Sequence, residues 1–212
     1  MSHEILSYLR ILLVGASGTL GQAVAAELKK RHEIITTGRH SGDLNLDLTD
    51  VNSIHNALKQ AGKLDAVICA AGKVTFAPLK DFKPAPLAES LHSEGISNKL
   101  MGQINLALAA RDYLRDGGSI TLTTGVLSEQ PIAQGSSASM VNGALESFVR
   151  AAAIEMPRGL RINAVSPNVL VESMKAYEPL FRGFEAVPAA RAALAFSRSV
   201  EGLQTGQVYK VF

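Results

Sequence analysis

Gly15, Gly18 and Gly21 stand three residues apart, directly after the apolar run at 11–14. The residues that follow place Leu20, Val24 and Leu28 on one helical face. A strand, a glycine turn and a helix start in this order form a cradle for a dinucleotide pyrophosphate. Gly15 permits the tight turn, Gly18 lets the backbone approach the phosphates, and Gly21 lets helix and strand pack closely. Free N–H groups around Ser17, Gly18, Thr19 and Leu20 then face the negative charge. The plainer alternative is a glycine-rich turn that holds no ligand. A second candidate lies at the end of the next strand, read over 33–37, where the chain continues Gly38-Arg39-His40. An NAD site presents an acid there to accept from the ribose 2′-hydroxyl. A carboxylate would repel a 2′-phosphate, whereas the Arg39 guanidinium can pair with one bidentately, and His40 adjoins it. The expected cofactor is therefore NADP(H) rather than NAD(H), with a solvated surface arginine as the alternative.

These groups need a sheet to hold them. The pattern predicts a helix over 51–60 capped by Asp50, a buried strand over 65–70, and a proline-rich, polar crossing over 73–93. A helix over 94–114 carries Leu100, Ile104 and Leu108, and Gly117-Gly118 ends it. A strand follows over 119–124, then a helix over 138–156 with Val141, Leu145, Phe148 and Ala152 on one side. A strand over 160–165, a loop over 167–188, a helix over 189–199 and a strand over 207–211 complete the chain. Strand and helix alternate throughout, which gives an α/β fold: a single-domain, Rossmann-type, doubly wound parallel sheet over 1–212. Only Ser41 and Gly42 separate Arg39-His40 from the stretch 43–47, too little for a helical crossover, so the sheet is shortened after its second strand.

Bulk properties narrow the function. The chain has 212 residues, net charge +2 and no basic cluster, so nucleic acid is not implied. No apolar run spans a membrane, and residues 1–10 do not read as a signal peptide. The single cysteine, Cys69, cannot form an internal disulfide, which points to a reducing, cytoplasmic setting. No H-x-x-H or C-x-x-C set is present, so no metal site is expected.

In the order of its elements and motifs the chain resembles the short-chain dehydrogenase/reductase family from about Arg10 to Phe212. The resemblance rests on the glycine turn, Asp47-Leu48-Thr49-Asp50, Ala70-Ala71-Gly72, the strand end Thr123-Thr124, and Arg161-Ile162-Asn163-Ala164-Val165-Ser166-Pro167. The glycine spacing follows the G-x-x-G-x-x-G form of extended and atypical members. The resemblance implies Asp47 and Leu48 near the adenine, Ala70, Ala71 and Gly72 along the adenosine ribose, and Thr123 and Thr124 at the nicotinamide end. Pro167, Asn168 and Val169 would wrap the nicotinamide, with Asn168 where the family has glycine. Cys69 stands where relatives place the first Asn of N-N-A-G, and reads as a small buried apolar residue. The resemblance also implies a homodimer or homotetramer through the helices around 99–114 and 138–156, with Ala144, Phe148, Ala151 and Ala152 compatible with such contact and equally with packing on the sheet.

The family's Tyr-x-x-x-Lys pair is missing. Anchoring on Gly143-Ala144-Leu145-Glu146 puts Ala138 and Asn142 at its two positions, and sliding by two gives Ser136 and Met140. No tyrosine or lysine lies between Arg115 and Lys175. By resemblance Thr124 occupies the active-site Ser position and could hold a carbonyl. Lys99 stands where the family has the Asn of N-x-x-G and would bring positive charge to the cofactor, with an exposed lysine as the alternative. His92 and Tyr177 are weaker candidates for a proton donor, and Met174, Tyr177, Phe181 and Phe184 suggest an apolar cover. Two functions remain open: a reductase of a small carbonyl or alcohol substrate by a non-standard mechanism, and a non-catalytic NADP(H)-binding redox sensor or partner subunit.

Overall fold

Arg10–Val14 forms the interior strand β1 because its side chains alternate between two buried faces. Leu12 and Val14 enter the core on one side of the sheet, Ile11 and Leu13 on the other. A computed structural model describes residues 8–212; most of the stretch read as lacking a signal peptide lies outside the described residues. After β1 come α1 (Thr19–Leu28), β2 (Glu33–Gly38), β3 (Leu44–Asn45), α2 (Val51–Ala61) and β4 (Leu64–Cys69). A π-helical segment, Gly95–Met101, runs into α3 (Gly102–Ala110), followed by β5 (Leu114–Thr123), α4 (Ser136–Glu155) and β6 (Arg161–Pro167). The short α5 (Met174–Tyr177), α6 (Ala189–Glu201) and β7 (Val208–Val211) complete the order.

The seven strands form one parallel sheet in the order β3-β2-β1-β4-β5-β6-β7. α1 and α6 cover one face, with Val24, Leu28, Phe196 and Val200 in its core. α2, α3 and α4 cover the other through Ile54, Leu58, Leu106, Val141 and Leu145. The result is a single-domain Rossmann-like α/β fold. The chain reverses direction across the sheet between β1 and β4, and ligands bind outside the carboxyl ends of the strands at such a switch point.

The sheet edge is short, as the spacing requires. β3 pairs with β2 over only Thr37↔Leu44 and Gly38↔Asn45. Its turn is closed by the Asp43 carboxylate, which accepts from Thr36 N at 2.8 Å and Thr36 Oγ1 at 2.7 Å. Two expectations are corrected. The helix over 94–114 starts as a π segment and ends at Ala110, which leaves Leu108 exposed and Leu106, Ala107 and Ala110 buried. A π turn holds more residues than an α turn, so a stripe counted at α spacing loses phase across it. Gly117-Gly118 does not end that helix but lies within β5, where the register with β4 shifts between Leu64 and Ala66 and Gly117 takes φ +74°. Glycine in a strand marks such a bulge. Among the described residues, no helix is long and apolar enough to cross a membrane.

Candidate functional site

The carboxyl ends of β1, β2 and β4 open on a cleft of about 580 Å³. The three glycines have separate physical roles there. Gly15 has φ +84°, and a Cβ on it would stand 2.7 Å from Ala71 Cβ. A Cβ on Gly21 would be 2.0 Å from Gly15 O, so this residue sets how closely α1 meets the turn. Gly18 is different: the protein offers its missing Cβ only Gly15 O at 3.5 Å, and the residue lines the cleft. Its bareness keeps the cleft open. Gly18 also N-caps α1 without a side-chain hydrogen bond, and the first turn carries no acid. The Gly18 N–H is not free, as it donates to Gly15 O at 3.1 Å; the uncapped N–H groups are those of Thr19, Leu20 and Gly21, and with an open glycine surface they fit a diphosphate.

Of the other residues expected at a cofactor, Ser17, Arg39, His40, Asp47, Leu48, Ala70, Ala71 and Gly72 line this cleft. Thr19 and Leu20 lie in the first turn of α1. Thr123, Pro167, Asn168 and Val169 lie apart from the cleft walls, at the ends of β5 and β6. Leu46, Lys73 and Asn98 are additional wall residues. Leu46 was within reach of the sequence, one residue from Asp47. Asn98 comes from the π segment, carries no local signal, and accepts the Lys73 N–H at 2.9 Å.

Arg39 is held. Its Nε lies 3.0 Å from Asp47 Oδ2 and its Nη2 donates to Asp47 Oδ1 at 3.1 Å, a bidentate pair with the guanidinium half-exposed. Burial works to raise the Asp47 pKa, but N–H and O–H donation from Thr49 and the pairing with Arg39 outweigh it, so the carboxyl is held below its ordinary range. Among the described residues, Arg39 Nη1 has no hydrogen-bond partner.

Toward β5 the groups interlock. Gln103 accepts from Thr123 N at 2.8 Å and donates to Thr123 O at 2.9 Å, while Thr123 Oγ1 donates to Cys69 O. Thr124 Oγ1 donates to the buried carboxylate of Glu146 at 3.1 Å, which also accepts from Ser128 Oγ at 2.7 Å. The Thr124 hydroxyl is thus engaged on the α4 side, and its main-chain oxygen is the group that meets Lys99 Nζ, at 3.1 Å. Asn142 Nδ2 donates to the next carbonyl, Gly125 O, at 3.3 Å. Burial lowers the Lys99 pKa to about 8 and raises that of the Cys69 thiol to about 12. A thiol so placed stays protonated and packs as an apolar group.

α4 also separates the two alignments of the missing pair. Ala138 and Asn142 are both only 2% exposed, whereas Met140 is 41% exposed. The inward face at those positions therefore carries a methyl group and an amide. Asn168 keeps an ordinary backbone where the family has glycine, and ties the following loop through Nδ2 to Glu185 O at 3.0 Å. Met174, Tyr177, Phe181 and Phe184 belong to an apolar cluster or its edge; that cluster also holds Val126, Leu127, Ala138 and Val169. Tyr177 meets Phe76 at a tilt and Phe181 edge-on, and His92 lies over Phe82. Neither lines the cleft.

A family model described as enoyl-(acyl carrier protein) reductase matches residues 13–208. The chain belongs to the short-chain dehydrogenase/reductase family, and so to a class of oxidoreductases that use a nicotinamide cofactor. The crystal structure of lin1944 from Listeria innocua is 54% identical, with a TM-score of 0.92 over 96% of this chain and 100% of that one. Versicolorin reductase stcU of Emericella nidulans is 27% identical over 188 residues, 77% of this chain and 69% of that protein. A small-chain dehydrogenase crystallised with NADPH shares the fold at TM-score 0.82 and 23% identity, over 97% of each chain.

Proposed function

We propose that this chain binds NADP(H) in preference to NAD(H) and carries hydride between it and a small carbonyl or alcohol substrate without a Tyr-x-x-x-Lys pair. Arg39 carries the reading: it is the cation at the end of β2, where the strand itself supplies no acid for a ribose hydroxyl, and Asp47, the carboxylate in the same cleft wall, is taken up by Arg39 and Thr49. Asp47 grips one edge of the guanidinium and orients it, which leaves Nη1 for a phosphate oxygen. The NADPH complex of a protein with the same fold supports the choice. When bound, the cofactor supplies hydride chemistry. The backbone at Gly15, Ser17 and Gly18 and the first turn of α1 with Thr19, Leu20 and Gly21 hold the diphosphate. Asp47 and Leu48 border the adenine, Ala70 to Gly72 the ribose, and Thr123 with Pro167, Asn168 and Val169 the nicotinamide end. Working states are a cytoplasmic homodimer or homotetramer.

Calorimetry tests this. NADPH is expected to bind at least about tenfold more tightly than NADH, and Arg39→Ala to cost NADPH about 1.5–3 kcal/mol while leaving NADH nearly unchanged. Equal affinities in the wild-type chain would defeat the preference. A second reading, a non-catalytic NADP(H)-binding redox sensor or partner subunit, is favoured by one observation: Ala138 and Asn142 occupy the inward positions on α4. Oxidation of NADPH across a panel of ketones and aldehydes separates the two, since a sensor binds tightly and turns nothing over.

A further inference from the structure

Lys99 puts an amine where an amine is costly. Its stem lies across Gly72 in the cleft wall, so close that a Cβ on Gly72 would stand 2.6 Å from Lys99 Cγ. Its Nζ spends one of three donors on Thr124 O at the carboxyl end of β5. Among the described residues no carboxylate pairs with it. The ionisable groups on the elements around it are few. From β4 comes the Cys69 thiol, held neutral, and after it Lys73, a second cation. From α4 comes Glu146, engaged by Thr124, Ser128 and Arg150. On its own segment Glu94 is exposed. α4 also brings Asn142 Oδ1 and Ser137 Oγ, both buried with no hydrogen-bond partner. An ammonium with no carboxylate partner and donors to spare, on a segment packed against the α4 face that carries these unanswered polar atoms, is the arrangement of a site that lacks its ligand's oxygen.

Resting on the cofactor reading above, we propose that Lys99 is the proton donor of this site and serves a ketone or aldehyde substrate. Lys99 Nζ gives its proton to the carbonyl oxygen as hydride from the reduced nicotinamide adds to the carbonyl carbon. The C=O π bond breaks, one C–H and one O–H bond form, and the nicotinamide is oxidised. The neutral amine regains its proton from water. Burial, which holds the amine near 8, keeps both of its states within reach of neutral pH.

The test reads proton linkage as well as rate. The oxidised nicotinamide is cationic and repels a neighbouring ammonium, so NADP+ binding at pH 8 should expel about half a proton from the wild-type chain. NADPH binding should expel none. Calorimetry in two buffers of different ionisation enthalpy measures this, and Lys99→Met should bind NADPH yet release nothing with NADP+. Carbonyl reduction by the wild type should fall about tenfold per pH unit above pH 8, Lys99→Met should be slower by about 10²- to 10⁴-fold, and Lys99→Arg should lose that fall. Equal proton release in wild type and Lys99→Met, or an unchanged rate, overturns the assignment. If the wild-type chain binds neither nucleotide, it is the cofactor reading that fails.

Discussion

Two glycines in one motif make opposite demands, and substitution separates them. Gly21→Ala forces a methyl carbon to 2.0 Å from Gly15 O, against backbone that cannot yield without moving the turn. It is expected to destabilise by about 3 kcal/mol or more, a fall in Tm of roughly 6–12 °C. Gly18→Asp meets open space on an ordinary backbone and should keep Tm within about 2 °C, while its carboxylate closes the anion site and weakens NADPH at least about tenfold. Lys99 makes a third prediction at this scale. Its folded pKa, about 8, lies below the ordinary 10.5, so between those values the unfolded chain binds more protons. Stability contributed through Lys99 therefore rises with pH across that window. Urea unfolding should find Lys99→Met more stable than wild type at pH 7, with the difference shrinking toward pH 10.5. Cys69 titrates in the opposite sense and feels the Lys99 charge, so the comparison is read below pH 9, where the thiol stays largely protonated in folded and unfolded chains alike.

At the scale of elements, the caps and bulges decide which residues arrive at the site. Asp50 accepts from Asn52 N at 2.9 Å and starts α2 just behind Asp47 and Leu48. Asp50→Ala should cost about 1 kcal/mol, roughly 3 °C of Tm by thermal melt. The π segment matters more for function. Gly102, at its end, sits so close to Leu48 that a Cβ would meet Leu48 Cβ at 2.8 Å, which fixes where the segment crosses the cleft. Asn98 and Lys99 leave that crossing toward the cleft wall and the β5 end. The loop after β6 packs its aromatic residues on Ala138 and Val126 rather than leaving them as a free cover.

For the whole molecule, the parallel sheet puts every strand's carboxyl end on one edge, so residues far apart in sequence meet there. Of the α4 residues compatible with subunit contact, Phe148 and Ala152 pack on the sheet core, so self-association would use the outer surfaces of α3 and α4, where Leu108, Met140 and Ile154 remain exposed. Light scattering is expected to give a multiple of the single-chain mass of 22.4 kDa, and a value at that mass would exclude the dimer and tetramer alike.

The chain's local chemistry was enough to specify the strand-turn-helix of the cradle, the cap at Asp50, the clipped sheet edge and the absence of a phenol and ammonium on α4. Each depends on neighbours within one turn or one crossover, where spacing and propensity act directly. Tertiary structure alone decided the rest. It paired Arg39 with Asp47, turned the Thr124 hydroxyl to Glu146, and chose Ala138 and Asn142 as the inward residues of α4. It also carried Lys99 to a carbonyl 25 positions away. Such contacts are set by packing across the sheet and by a π turn that changes the phase of a helix, and neither leaves a periodic mark in the sequence.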